Sequence, residues 1–147
     1  MPRIISMQEG GSAHPVFDAT VPAGQLSLHA RMCAPAAPGG WMIIGYSRYY
    51  RQFALSDTTF GDAGLATMHL QLHPPENSPA LLESETTMHL TQQLIQATRW
   101  LRSEFDANSL PIGLFGAYQD AGVALNAAAF LGNEIGAVVS FQGRPDK

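Results

Sequence analysis

Two short apolar runs constrain this chain more than any other feature. Trp41-Met42-Ile43-Ile44 is closed by Gly45, and Ile112-Gly113-Leu114-Phe115 is closed by Gly116. A continuous apolar run of this length suits a strand covered on both faces, which is the habit of parallel sheets. Between them Leu90, Leu94, Ala97, Leu101 and Phe105 step by four, three, four and four, so Thr87 to Phe105 is expected as one amphipathic helix. Asp120 to Leu131 reads as an Ala-rich helix and Ile135 to Phe141 as a further buried strand. Strands alternating with helices imply parallel pairing through right-handed crossovers. The expected fold is a three-layer α/β/α sandwich with a mostly parallel sheet.

Upstream the pattern differs. Val16 to Val21 reads as a strand, Pro22-Ala23-Gly24 as a turn, and Leu26, Leu28 and Ala30 alternate with polar neighbours. These segments form an N-terminal antiparallel hairpin ahead of the parallel part. Residues 1–14 read as a loose arm, Tyr49 to Phe60 as a helix, Leu65 to Leu70 as a strand, and 76–85 as a polar excursion. With 147 residues, a single domain spanning 1–147 is expected.

Composition excludes several function classes. Charged residues make up 14% of the chain and the net charge is −4. Lys147 is the only lysine and the seven arginines are scattered, so no basic stripe exists for nucleic acid. No run approaches the length of a spanning helix, and residues 1–20 lack a sustained apolar core, so no membrane role and a cytoplasmic location are expected. Cys33 stands alone, which rules out an internal disulfide and reads as a small buried hydrophobe. His69 and His73 are four apart, but on a strand that separates them by about 13 Å. Neither a metal nor any other cofactor is expected.

In an open α/β sheet, ligands meet the carboxyl ends of the strands. Two strand ends qualify, after Ile44 and after Phe115. The second continues Gly116-Ala117-Tyr118-Gln119-Asp120-Ala121-Gly122. Here the chain resembles the dienelactone-hydrolase-like branch of the α/β hydrolases. The resemblance rests on Ala97-Thr98-Arg99-Trp100-Leu101, Leu110 to Ala117, Ala127-Ala128-Ala129, and Ala137-Val138-Val139-Ser140 with Gly143-Arg144-Pro145-Asp146. It is strongest over about 89–146 and continues more weakly back to residue 16.

The resemblance implies a G-x-S-x-G nucleophile elbow, with the amide after the serine helping to bind an oxyanion. By position the serine is replaced by Tyr118, the oxyanion amide falls to Gln119, and the second elbow glycine is Asp120. The resemblance further implies a His-Gly motif and a Gly/Ser-rich oxyanion loop after the first junction. There the chain reads Ile44-Gly45-Tyr46-Ser47-Arg48-Tyr49-Tyr50-Arg51, keeping only Gly45. The superfamily orders its triad nucleophile, acid, histidine, yet no histidine follows His89. Relatives continue past the Gly-Arg-Pro-Asp match into two more strands that bear the acid and the base.

Three readings follow. The first is a degenerate hydrolase-like protein without the Ser-Asp-His triad, acting as a small-molecule-binding or dimeric interaction module. Gly45, Tyr46, Arg48, His69, Tyr118, Gln119 and Asp120 are its candidate ligand contacts. The second is a hydrolase of small esters or lactones using other residues, with His69 the best candidate base for Tyr118. The third is a structural remnant without a ligand. Asp120 is also expected to N-cap its helix. The uncharged strand Ile135–Phe141 would be a sheet edge, and a homodimer through it is expected.

Overall fold

The computed structural model describes residues 3–7, 15–47, 59–75, 83–105 and 110–141. In chain order these form strands β1 (Arg3–Met7), β2 (Pro15–Ala23), β3 (Leu26–Cys33), β4 (Gly40–Tyr46) and β5 (Leu65–Gln71). Helix α1 (Glu83–Glu104), strand β6 (Ile112–Ala117), helix α2 (Ala121–Leu131) and strand β7 (Ala137–Phe141) follow. The strands make one sheet in the order β1-β2-β3-β5-β4-β6-β7. Pairing is antiparallel from β1 to β5 and parallel from β5 through β4 and β6 to β7.

The β2–β3 hairpin expected from alternation is present, and Leu28, Ala30 and Met32 are its buried phase. Its turn is tighter than expected. Pro22 and Ala23 extend β2, opposite Ser27 and Leu26, and the chain reverses at Gly24, whose φ of +64° suits a residue without a side chain. Arg3–Met7, within the stretch read as an arm, runs as a strand antiparallel to β2. Its five residues carry no alternation long enough to announce it.

Strand β4 is buried from Gly40 to Gly45, as the apolar run requires. Its side chains divide by parity. Trp41 and Ile43 join a core with Leu28, Met68, Leu70, Ile112 and Leu114 under the helices. Met42 and Ile44 take the opposite face, where Met42 lies against Gly113 and Ile44 is level with Phe115.

The helix signal holds and extends. Leu90, Leu94, Ala97 and Leu101 are all buried, while the helix begins at Glu83 rather than Thr87. Phe105, just past its end, sits among Phe17, Trp41 and Trp100 with ring centroids 6.3, 5.5 and 5.7 Å away. The buried threonines return their hydroxyls to the helix backbone, Thr91 to Thr87 O and Thr98 to Leu94 O. Gln93 ties the helix to the chain leaving β5. It accepts from His73 N and donates to His73 O, both at 2.8 Å.

Helices α1 and α2 lie side by side on one face of the sheet and share its core. On the other face Phe60, from a helical turn at 59–62, meets Phe115 edge-on at 6.4 Å. Most of the helix expected over 49–60, and residues 76–82 of the polar excursion, fall outside the described residues.

Candidate functional site

Strand β4 is the switch point of the sheet. The chain leaves it toward β5 on one side, and β6 pairs on the other with Ile44 level with Phe115. Connections diverging from neighbouring parallel strands open a crevice at their carboxyl ends. Both junctions singled out in the sequence border that crevice.

The β6–α2 turn is a true elbow. Gly116 is fixed by space, because a Cβ there would stand 2.3 Å from Asp120 O and 2.9 Å from the Ala124 Cβ. Tyr118 has φ of +58° and is the one non-glycine in the left-handed region among the described residues. For an L-residue other than glycine this conformation costs roughly 1–2 kcal/mol, and such strain collects at functional turns. The backbone therefore raises residue 118 above the sheet, and its side chain is 55% exposed. Gln119 is exposed in the same short 3-10 turn.

Asp120 corrects one expectation. It occupies the N-cap position of α2, but its side chain makes no capping bond. Its carboxylate crosses the crevice instead and accepts from the Ser47 backbone N–H at 3.0 Å and the Ser47 Oγ–H at 2.7 Å. Asp120 is buried at 7% exposure, and two bonds from one residue supply the partners that a buried carboxylate needs. The elbow and the loop after β4 are thereby joined.

Around this latch, Gly45 is buried within β4. Tyr46 ends the strand, half-buried, and burial pushes its hydroxyl above the ordinary tyrosine value, partly offset by the positive charge of Arg31. His69 is fully buried in β5, level with Arg31 on one side and Ile44 on the other. Ile44 is in turn level with Phe115, so His69 lies two strand spacings, about 10 Å, from the strand that leads to Tyr118. The register separates the proposed base from the elbow. Arg48 lies outside the described residues.

Ser47 is the site residue that sequence reasoning passed over. The available signal was an aspartate at a glycine position of a tight turn, which must find donors in the facing loop. Among the described residues no group of three His, Cys, Asp or Glu side chains could hold a metal ion, and no helix is long and apolar enough to cross a membrane.

No family model matches the chain. Two Mycobacterium tuberculosis proteins, named as phosphoribosyl transferases in strains CDC 1551 and H37Rv, are 35% identical to it over 130 residues. That match covers 86% of this chain and 29% of each relative, so the chain spans under a third of their length. Among solved structures, a dienelactone hydrolase from Anabaena variabilis is 27% identical, with a TM-score of 0.73 over 85% of this chain and 62% of that one. A carboxyl esterase from Bacillus coagulans gives a TM-score of 0.63 at 16% identity, covering 84% of this chain and 43% of the esterase. A cold-adapted esterase from an Arctic intertidal metagenomic library gives 0.69 at 12%, covering 93% and 64%. The chain has the α/β-hydrolase fold, in the form found in a dienelactone hydrolase.

Proposed function

We propose that this hydrolase-like unit binds a small neutral molecule at the elbow and does not turn it over. The observation carrying this reading is the Asp120 carboxylate on Ser47. Acyl transfer needs fixed donors aimed at a charge that develops only in the transition state. Here the first donor after β4 is already taken by the Asp120 carboxyl group, an acceptor set where an oxyanion would need a donor. Tyr118, at the nucleophile position, carries a phenol whose oxygen stands well away from the backbone. The buried carboxylate likewise disfavours anionic ligands, whereas the exposed Tyr118 ring and Gln119 suit an uncharged ester- or lactone-like molecule.

The test is hydrolysis of p-nitrophenyl acetate by wild type and Tyr118→Phe in parallel, with thermal-shift titration by 2(5H)-furanone. The expected result is no hydrolysis above background in either protein, and a saturable stabilisation by the lactone that Tyr118→Ala loses. A wild-type esterase rate that Tyr118→Phe abolishes would overturn the reading in favour of a tyrosine-dependent hydrolase.

The similarity to the mycobacterial proteins supports a second reading, in which the unit works as an accessory to phosphoribosyl transfer. The described part of the crevice contributes Tyr118, Gln119 and Asp120, while Arg48 and Arg51, which follow Ser47 in the chain, lie outside the described residues. Equilibrium dialysis with 5-phosphoribosyl diphosphate separates the readings: retention favours the accessory role, and lactone binding without retention favours the first.

A further inference from the structure

Ser47 presents two donors to one carboxyl group. Its backbone N–H reaches Asp120 Oδ2 at 3.0 Å and its Oγ–H reaches Oδ1 at 2.7 Å, so each oxygen is met by its own donor. A two-point clamp of this kind reads the planar shape of a carboxyl group, as the paired donors of a guanidinium do. Asp120 forgoes a nearer partner to sit there. It holds the N-cap position of α2, where a side-chain oxygen ordinarily accepts from the first turn, and makes no such bond. Its backbone is fixed, because the Asp120 carbonyl packs on Gly116, where a Cβ would stand only 2.3 Å away. Rotation of the side chain alone therefore fills or vacates the clamp. Asp120 is buried and Ser47 half-buried, while Tyr118 and Gln119 beside them are exposed.

We propose that Asp120 is a specificity-determining residue. It fills, from within the chain, the place that a ligand's carboxyl group would take, so the clamp is closed to the ring-opened acid and the elbow takes the intact lactone or ester. This rests on the reading of the elbow as a binding site for a small neutral molecule. The distinction lies in the acceptors. A lactone offers one carbonyl oxygen, which the exposed Gln119 carboxamide can meet. Its hydrolysis product offers two carboxylate oxygens, and the paired donors of Ser47 that match them already serve Asp120. An occupant tethered to the chain competes at high effective concentration. A clamp vacant about a tenth of the time weakens an outside carboxyl group about tenfold. Such a site tells an intact ester from a cleaved one without cutting either.

The test is amide NMR spectroscopy of the 147-residue protein as wild type, Asp120→Gly and Asp120→Asn. Each is titrated with γ-butyrolactone, with 4-hydroxybutanoate (the same skeleton opened) and with acetate. In the wild type the lactone is expected to move the elbow amides, while neither acid moves the Ser47 amide. Asp120→Gly removes a group the size of acetate. Both acids are expected to bind it about tenfold more tightly than wild type and to move the Ser47 amide. Adding Ser47→Ala should take back most of that gain. Asp120→Asn keeps one acceptor for Ser47 and should gain less; it carries the comparison if circular dichroism shows the glycine variant unfolded. Acids that bind the wild type as tightly as the variants, or a gain that survives Ser47→Ala, would overturn the proposal. The acetate arm needs no lactone. A wild type that ignores the lactone ends the elbow reading, whereas the closure of the clamp by Asp120 stands or falls on acetate.

Discussion

Asp120 and Ser47, 73 residues apart in the chain, share two hydrogen bonds through one carboxylate. The contact joins the two strand ends that border the crevice, the end of β4 and the turn after β6. An elbow can keep its strained geometry while losing its reaction, because different residues enforce the two. Gly116 and the left-handed residue 118 set the turn; the residue after β4 and the side chain at 118 would set the chemistry. In this chain Gly116 and the positive φ of Tyr118 set the turn, and Ser47 and Tyr118 stand at the other two positions.

The latch is expected to matter for stability. Asp120→Ala leaves the Ser47 N–H and hydroxyl without their acceptor and removes two charge-assisted bonds. A loss of about 2–3 kcal/mol is expected. Ser47→Ala removes only the hydroxyl bond and should cost about 1 kcal/mol. Denaturant unfolding of both variants and of the pair checks this. In the double variant the two losses should fall short of additive, as for residues in direct contact. Additive losses would mean that the bond from the Ser47 hydroxyl contributes nothing.

The elbow makes two opposite predictions at positions two apart. Gly116→Ala forces a methyl group against the Asp120 carbonyl and Ala124, where backbone must move. The expected cost is about 3 kcal/mol, the upper end for overpacking. Tyr118→Gly relieves a left-handed conformation and is expected to stabilise by about 1 kcal/mol. Tyr118→Val, β-branched at the same φ, should destabilise. Thermal unfolding of the three variants decides it, and equal effects of glycine and valine at 118 would show that the turn is not strained.

Much of this fold was legible because its signals are local and periodic. The run at Trp41–Ile44, the alternation from Leu26 to Ala30 and the Leu90–Leu101 face each follow from where one strand or helix must hide its apolar side. The elbow was legible as a pattern of small residues with Tyr118 at its crest. What escaped were features decided by distant partners. Arg3–Met7 becomes a strand only because β2 offers an edge. Asp120 looks like a helix cap in sequence, since an acid at the start of α2 complements the dipole, but a donor pair 73 residues away offers it more. His69 seemed available near a strand end. Its register with Arg31 and Ile44 puts it inside the sheet's far face, and no local pattern reveals register between strands.

Tyr46 gives a pH dependence with a definite sign. Burial raises its hydroxyl above the ordinary tyrosine value of 10.0, and the positive charge of Arg31 takes back part of the rise. In the unfolded chain the phenol ionises near its ordinary value, while the folded protein still holds the proton. The unfolded state is then the one that gains by releasing it. Stability linked to Tyr46 is therefore intact below about pH 10 and is lost as pH rises through the folded value. Tyr46→Phe removes the titrating group and should flatten the fall in stability above pH 10. Arg31→Gln removes the charge that favours phenolate, so Tyr46 should titrate still higher and the fall should steepen. Phenolate absorbance followed against pH in the folded proteins, beside urea unfolding at each pH, reads both effects. If Tyr46→Phe leaves the alkaline limb unchanged, the loss of stability there belongs to other groups and Tyr46 is not held protonated by the fold.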